Sequence, residues 1–340
     1  LAPRDASNAW ALQRPGGQGA LLANDPHLGL RAPGHWYLAR IETPERTLVG
    51  ATAPGVPFHI LGRNRDLAWG LTTTHSDTQD LFLERVDPED SGRYRTPDGW
   101  AAFESTTETI QVAEADPVEL TVRRTRHGPV ISDSVEAART LAGENQVVAL
   151  AWPALRADDT TPDALYQVNA ARSVDAALNA MESANAPQQN LFLADSAGNV
   201  GLIAAARVPV RKAGDGTLPR PGWTGDYDWT GTVPYDALPR ARNPESGRLV
   251  NANNRLVGDD YPYLIAAHWP PPWRAERVNR LLDQAQGSAD IAAMERILLD
   301  TRSPKAEMLL DELLSHDPTN TRQEAAHQLL RGWDRHMNHD

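Results

Sequence analysis

The chain has 340 residues, carries a net charge of −12 and contains no cysteine. An acidic chain without clustered lysine and arginine argues against a nucleic-acid partner. The absence of cysteine excludes a disulfide framework, a thiolate nucleophile and a cysteine zinc site. No apolar run reaches the roughly 18 residues that a membrane-spanning helix needs, so we expect no membrane partner.

Short apolar runs separated by turn residues predict that the first half of the chain is mostly β-structure. A hairpin is predicted over residues 191–203, with its turn at 196–199. The other predicted strands are 48–51, 58–61, 67–72, 81–86, 107–112, 119–122 and 147–152.

Helices are predicted in two parts of the chain. Apolar spacing indicates a helix over about 163–183 and further helices from Trp273 onward. Between them, residues 207–247 are rich in Gly, Pro and aromatic side chains and predict a long, structured loop. Strands followed by helices favour an α+β layered fold over a doubly wound sheet.

Local signals mark the ends of the later helices. Ser303 followed by Pro304 is typical of a helix start, and Thr321 with Glu324 fits a capping box. The helical pattern still runs at Trp333 and His336, so we expect that a C-terminal part is missing from this chain.

The common signatures of enzymes are absent from the sequence. It has no Gly-x-Ser-x-Gly elbow, no P-loop, no His-Glu-x-x-His and no Gly-x-Gly-x-x-Gly motif. The histidines are scattered without metal-ligand spacing. These generic patterns leave the function open.

Six segments, in a fixed order, give a more specific indication. They are SNAW (7–10), LANDPHLG (22–29), LAWGLTT (67–73), PQQNLFLAD (187–195), VNANNR (250–255) and WRAERV (273–278). In this order and spacing they resemble the penicillin acylase family of N-terminal-nucleophile hydrolases, from residue 7 to about residue 282. The resemblance implies an αββα fold, in which two antiparallel sheets pack face to face between helical layers.

The resemblance implies that Ser7 is the nucleophile of an amide hydrolase. In this family a precursor cuts itself and frees a subunit that begins with serine; here the matching bond joins Ala6 to Ser7. Residues 1–6 would then be the end of a linker or propeptide, and residues 7–340 the β-subunit portion. A free α-amino group has a pKa of about 7.7–8.0 and can accept the hydroxyl proton, so a serine at the first position carries its own base.

The family pattern also implies the residues that act with Ser7. The oxyanion donors would be the side-chain amide of Asn253, with Asn254 or Asn251 as alternatives, and the backbone N–H of Thr73. For the second donor a slip to Thr72 or Thr74 stays open.

Two further positions match family residues around the nucleophile. His27 would contact the nucleophile region and orient it. Arg277 would hold Asn253 and the amine region through its forked donors. Its neighbours Arg274 and Arg280 lie at helical spacing and are interpreted as a solvated face.

A structural calcium ion is a further expectation from the resemblance. Its ligands would be the carboxylates of Asp77 and Asp80 and the carbonyl of Gln79, because calcium prefers oxygen ligands. A family ligand is acidic where the matching residue here is Ile265. Another ligand belongs to the α subunit of the same precursor, which is the expected protein partner. The family also implies a periplasmic or secreted location.

The acyl pocket would be lined by Leu28, Leu61, Leu71 and His75, by their match to family positions. Three leucines favour an aliphatic or differently shaped acyl group over phenylacetyl. The substrate would be an N-acyl compound such as a β-lactam antibiotic or an acyl-homoserine lactone.

Other interpretations of the chain stay open at this point. The enzyme could be an amidase for other N-acylated metabolites. The chain could also be an unprocessed or truncated, inactive fragment, since six residues precede Ser7. Ten tryptophans and many acidic residues also leave a glycan-binding or glycan-hydrolysing β protein as a remote alternative.

Overall fold

The computed structural model describes residues 6–285 and 289–338. Residues 1–5 of the predicted propeptide lie outside this part. The described residues up to 251 form twenty strands and three α-helices, and four further α-helices follow, as expected for the predicted α+β class. Within the described ranges, no helix combines the length and apolar character required to cross a membrane.

The strands of the first half are β1 (Ala6–Leu12), β2 (Leu21–His27), β3 (Tyr37–Glu42), β4 (Thr47–Thr52), β5 (Leu61–Arg63), β6 (Leu67–Thr73), β7 (Asp80–Arg85), β8 (Arg93–Thr96), β9 (Gly99–Ala102), β10 (Glu104–Ile110), β11 (Val118–Thr125), β12 (Gly128–Pro129) and β13 (Gln146–Ala151). The later strands are β14 (Gln189–Asp195), β15 (Val200–Ala205), β16 (Pro209–Arg211), β17 (Arg220–Pro221), β18 (Trp229–Thr232), β19 (Arg240–Arg242) and β20 (Arg248–Asn251). The helices are α1 (Glu136–Arg139), α2 (Thr161–Ala170), α3 (Val174–Ala180), α4 (Trp273–Gln284), α5 (Ile291–Leu298), α6 (Pro304–Ser315) and α7 (Thr321–Gly332).

Two sheets form the centre of the molecule. The larger has seven strands in the order β19-β15-β14-β6-β5-β4-β3, and the smaller has the order β2-β1-β20. Strand β1 pairs antiparallel with β2 on one side, Ser7 opposite Pro26, and with β20 on the other, Ala9 opposite Asn251. The first and last strands of the β region are therefore neighbours, which brings residues distant in sequence to one edge.

The two sheets pack face to face. Strands β1 and β2 lie against β6 and β14 of the larger sheet. Because successive side chains of a strand point to opposite faces, alternate residues of β1 share this inner layer. Ala9 and Ala11 are fully buried there against Phe192 and Val200. Ser7 belongs to the same alternating set, which directs its side chain toward the larger sheet.

Helices cover both outer faces. Helices α2 and α3 pack on the larger sheet, where Val168 and Val174 contact Leu191 and Leu193. On the other side, Trp10 of β1 is buried among residues of α4 and α5, and its indole N–H lies 3.1 Å from Met294 Sδ. Helices therefore lie on the outer side of each of the two sheets.

The predicted helix over 163–183 is wrong in its continuity. Helix α2 ends at Ala170, and Ala171 is extended. Ser173 then caps α3 by accepting a hydrogen bond from the Ala176 backbone N–H. A side chain that caps a new helix competes with continuation of the old one, which explains the break.

Several local predictions are also corrected. Segment 58–61 is not a strand, because β5 begins only at Leu61. The region 207–247 contains four short strands, β16 to β19, between its loops. The N-cap of α7 is Asn320, which accepts a hydrogen bond from the Gln323 backbone N–H. The capping box predicted at Thr321 and Glu324 is therefore displaced by one residue. Helix α7 ends at Gly332, before Trp333 and His336.

Other predicted elements are confirmed. The hairpin forms from β14 and β15, with Ala194 opposite Val200 across the predicted turn. Helix α4 starts at Trp273. Ser303 caps α6 by accepting from the Ala306 backbone N–H, with Pro304 in the first turn.

Candidate active site

Ser7 lies near the start of β1 and is almost fully buried, with 5% of its surface exposed. Its hydroxyl oxygen faces the end of β6, because the alternation of β1 directs it toward the larger sheet. The backbone N–H of Thr73, the last residue of β6, points at Ser7 Oγ over 3.3 Å. The structure therefore brings together two residues that the sequence separates by 66 positions.

Asn253 supplies a second donor to the same oxygen. Its Nδ2 lies 3.1 Å from Ser7 Oγ and 3.0 Å from the Thr73 carbonyl oxygen. Its Oδ1 accepts from the Ser7 backbone N–H at 2.8 Å. Asn253 has a φ of +69°, a left-handed conformation that asparagine tolerates better than most residues. The turn after β20 thus aims this side chain at both backbone and hydroxyl of Ser7.

Asn251 holds this turn in place. Its Oδ1 accepts three hydrogen bonds, from Thr72 Oγ1 at 2.8 Å, from Asn190 Nδ2 at 3.1 Å and from the Asn253 backbone N–H at 2.9 Å. All four side chains are buried. Asn251 and Thr72, open as alternatives for the two donors, therefore belong to the network behind them. Asn190 was not singled out from the sequence, although it lies in the matching segment 187–195.

Arg274, rather than Arg277, contacts Ser7 and the residues next to it. Its guanidinium donates to Ser7 O at 2.9 Å, to Asn8 Oδ1 at 2.7 Å, to Ala252 O at 2.7 Å and to Asn253 Oδ1 at 2.9 Å. Burial lowers the pKa of this guanidinium, and the charge of Asp25 opposes that shift.

The prediction for Arg277 is corrected accordingly. Arg277 forms a two-bond ion pair with Asp300 at 2.7 and 2.8 Å. Arg277 is three residues further along α4, so the two arginines lie on about the same side of the helix but one turn apart, and Arg274 is the one at the level of Ser7. Arg274 was wrongly interpreted as part of a solvated face, because spacing along a helix does not show which face meets the sheet.

His27 is the last residue of β2 and lies beside β1, the strand that carries Ser7. Among the described residues, it makes no hydrogen bond to Ser7. It is opposite Ala6 in the β1–β2 register. Its Nε2 is 2.8 Å from Asp25 Oδ2 and 3.4 Å from Asn8 Nδ2. The hydrogen bond from His27 holds the pKa of the Asp25 carboxyl below its usual value. Through Asn8 the pair reaches Arg274, so its contact with Ser7 is indirect.

A cavity of about 810 Å³ opens at Ser7. All four predicted pocket residues line it, together with Ser7 and Thr73; they are Leu28, Leu61, Leu71 and His75. Sequence reasoning missed Trp36, Ile60 and His268 in the same wall. These three lie outside the six matching segments and carry no local pattern that indicates a pocket. The cavity offers an apolar space directly beside a hydroxyl and two N–H donors.

A second cavity of about 280 Å³ adjoins the first. Asn253, Trp269 and Arg274 line it, and it shares His75 and His268 with the larger cavity. Ser7 thus lines an apolar space, and a smaller space that includes a guanidinium lies next to it.

The residues expected to bind calcium do not converge on a cation site. Both carboxylate oxygens of Asp80 accept from Arg211, at 2.8 Å each, and Asp77 Oδ2 accepts from the Ala267 backbone N–H at 2.6 Å. Gln79 is exposed, and Ile265 is buried where a carboxylate was expected. Across residues 6–285 and 289–338, no cluster of His, Asp or Glu is arranged to hold a metal. The residues present do not fit a calcium ion.

Comparisons with curated proteins find acylases that are similar to most of this chain. An acyl-homoserine lactone acylase of Pseudomonas aeruginosa is 32% identical over 305 residues, which covers 88% of this chain and 36% of that protein. A penicillin acylase 2 proenzyme of a Pseudomonas species is 33% identical over 309 residues, covering 89% of this chain and 38% of that protein. The chain therefore spans a little over a third of the length of these relatives.

A solved structure shares the fold. A thermostable penicillin G acylase from Alcaligenes faecalis superposes with a TM-score of 0.78 at 26% sequence identity, over 98% of this chain and 60% of that one. The sequence profile of the family described as penicillin amidase matches residues 1–340. This chain belongs to the penicillin amidase family.

Proposed function

We propose that this chain is the nucleophile-bearing part of an enzyme that hydrolyses N-acyl amides. One observation carries the proposal: Ser7 Oγ meets two N–H donors, Asn253 Nδ2 at 3.1 Å and the Thr73 backbone at 3.3 Å, at the wall of an apolar cavity. Acylases among its relatives support the same reaction class. The observed layers support the αββα sandwich expected for the family.

The proposed reaction starts with attack of Ser7 Oγ on the amide carbonyl carbon. The hydroxyl proton passes to the α-amino group of Ser7 once that group is free, and then to the leaving amine. The Ser7 nitrogen lies 2.8 Å from Asn253 Oδ1, which would orient the amine. Arg274 also donates to this oxygen, and its positive charge disfavours protonation of an amine nearby. Water then attacks the acyl-serine and releases the acid.

Asn253 Nδ2 and the Thr73 N–H are the proposed oxyanion donors. Donors fixed where negative charge develops are worth more than donors that must reorient, and removing one typically costs about 10²–10³ in rate. Both groups are held before substrate arrives, Asn253 by Asn251 and Arg274, and Thr73 by its place in β6.

The free amine requires cleavage of the bond between Ala6 and Ser7. In the chain described here, Ala6 still precedes Ser7 and pairs with His27. We propose that the precursor cuts this bond itself, with the same hydroxyl as nucleophile, and that the α subunit from the same precursor completes the enzyme. A periplasmic or secreted location is part of this proposal, and the lack of cysteine is compatible with it.

The cavity supports an N-acyl substrate with an extended apolar acyl group. Its walls include Leu28, Ile60, Leu61 and Leu71, with Trp36 as an aromatic member. Aliphatic walls favour a fatty acyl chain, as in acyl-homoserine lactones, over phenylacetyl. The polar leaving group would occupy the smaller cavity beside Arg274. A β-lactam with an apolar side chain is the alternative substrate, because a penicillin acylase is among the relatives.

Hydrolysis of chromogenic N-acyl amides of graded chain length tests the proposal on the intact protein. We expect turnover that increases with acyl length up to the depth of the cavity. Ser7→Ala should abolish it, whereas Ser246→Ala, at an exposed turn, should not change it. Full activity in the Ser7→Ala protein would contradict the proposal, and so would a folded wild type without any amide hydrolysis. The latter result would favour the inactive-fragment interpretation.

A further inference from the structure

The segment from residue 77 to residue 80 leads from β6 into β7 and contains the three residues expected to bind a divalent cation. In the structure, Arg211 contacts two of them, Asp77 and Asp80. Arg211, from β16, donates from Nε to Asp80 Oδ2 and from Nη2 to Asp80 Oδ1, both at 2.8 Å. The same Nη2 donates to the Asp77 carbonyl oxygen at 2.8 Å. The guanidinium thus bridges a carboxylate and a backbone carbonyl, the two kinds of ligand expected for calcium in this loop.

This ion pair is enclosed. The side chains of Arg211 and Asp80 are 4% and 7% exposed. Trp229 adds a hydrogen bond from its indole N–H to Asp80 Oδ2 at 2.6 Å. Gly216 covers the pair with a φ of +80°, and a Cβ there would lie 2.2 Å from Asp80 Oδ1. Calcium needs six to eight oxygen ligands, and the oxygens of Asp80 are already committed to nitrogen donors.

The same loop supports the wall of the catalytic cavity. Asp77 lines that cavity, and its backbone N–H donates to Ile265 O at 2.9 Å. Its Oδ2 accepts from the Ala267 N–H, one residue before His268, which lines both cavities. Arg211 therefore connects through Asp77 to the segment that carries His268.

We propose that the guanidinium of Arg211 takes the place of the expected calcium ion. It neutralises Asp80, fixes the Asp77 carbonyl and so positions the cavity wall without any metal. A planar fork with a permanent charge suits this task, because it pairs with both carboxylate oxygens at once. The fold of this region is consequently independent of divalent cations.

Thermal unfolding of the intact protein, with calcium or with a chelator, tests this inference. Variants Arg211→Met, Asp80→Asn and the double variant are compared with wild type. We expect a wild-type Tm that does not depend on calcium. Arg211→Met should lower Tm by about 5 °C or more, because it leaves a buried carboxylate unpaired. The double variant should recover part of that loss, since no buried charge remains.

Two results would overturn the inference. One is a calcium-dependent wild-type Tm that Asp80→Asn abolishes; the other is an Arg211→Met variant as stable as wild type. A calcium effect on Tm that persists in Asp80→Asn arises from another site. In that case the inference stands if the double variant recovers part of the Tm lost in Arg211→Met, and it fails if the double variant recovers nothing. If Arg211→Met does not fold, Arg211→Lys keeps the charge but loses the fork, and should show a smaller, calcium-independent decrease in Tm.

The positioning role has a kinetic readout, which rests on the proposed function. Arg211→Met should raise KM several-fold with a smaller effect on kcat, because Ser7 and its donors are not in contact with Arg211. Arg123→Met, which removes another two-bond ion pair, with Asp133, is the control and should leave KM unchanged. An unchanged KM in folded Arg211→Met contradicts the positioning role. If wild type hydrolyses no amide, the proposed function fails and the Tm comparison still tests the ion pair.

Discussion

At the scale of single residues, the candidate site depends on where three backbones place one serine and two donors. Ser7 comes from β1, Thr73 from the end of β6 and Asn253 from the turn after β20. Each is held by contacts outside itself, Asn253 most of all, through Asn251 and Arg274. The resemblance of short segments was sufficient to name these three residues, because each lies inside a matching segment.

Asn253→Ala should lower kcat by about 10²–10³ with little change in KM, because it removes a donor that acts mainly on developing charge. Steady-state kinetics on the intact protein measure both constants. Asn279→Ala is the control, since among the described residues its amide donates to Ala275 O of its own helix and to no residue of the site. A variant that retains more than a third of wild-type kcat would be evidence against the oxyanion role.

Arg274 and Arg277 make opposite predictions. Arg274→Met should reduce kcat/KM by at least about 10²-fold, because it disconnects Asn253 and the Ser7 carbonyl from their common donor. Arg277→Met should lower Tm and leave kcat/KM near wild type, since Arg277 pairs with Asp300 and not with Ser7 or Asn253 in the part of the chain that the structure describes. If Arg277→Met were the variant that lost activity, the original interpretation from the sequence would be restored.

At the scale of elements, the distance between β2 and β6 sets the geometry of the site. Asn24 on β2 ties the two sheets together. Its Nδ2 donates to Asn8 O and to Leu71 O, and its Oδ1 accepts from the Leu71 N–H, each at 2.9 Å. Gly70 lets β6 approach this side chain, because a Cβ there would lie 2.8 Å from it. Leu71 is two residues from Thr73, so this contact fixes the position of Thr73, one of the two proposed oxyanion donors, relative to Ser7.

Asn24→Ala should destabilise the protein by about 2–3 kcal/mol, since three backbone groups lose their partner. Chemical denaturation measures the free energy of unfolding. Asn24→Asp keeps the oxygen that accepts from the Leu71 N–H but loses both N–H donors of the amide. We therefore expect it to lower the free energy of unfolding as well, and at neutral pH to lower kcat. A fully stable and active Asn24→Ala variant would show that the two sheets do not need this link.

Elements were predictable where the signal was local, and less so where it depended on packing. The hairpin of β14 and β15 and the start of α6 follow from turn and capping residues. The break between α2 and α3 depends on whether the Ser173 side chain continues one helix or caps the next. The choice between Arg274 and Arg277 depends on which turn of α4 lies beside Ser7 and Asn253, which the spacing of charged residues does not reveal.

At the scale of the whole molecule, two sheets and their outer helices bring the ends of the β region together and leave an apolar cavity at Ser7 with a smaller cavity adjoining it. The α+β class was predictable from element order and from the family resemblance. The ion pair that replaces the expected calcium in our proposal was not predictable, because Arg211 lies more than 130 residues from Asp80 and outside every matching segment. An ion pair formed across such a separation is visible only in the folded chain.

The central claim is that Ser7 becomes competent only as the first residue of its chain. Intact-mass measurement with N-terminal sequencing of the active, intact protein tests it most directly. We expect one chain that begins at Ser7, and an Ser7→Ala protein in which the bond between Ala6 and residue 7 stays intact and no amide is hydrolysed. A preparation that turns over N-acyl amides at full rate while Ala6 remains joined to Ser7 would contradict the account.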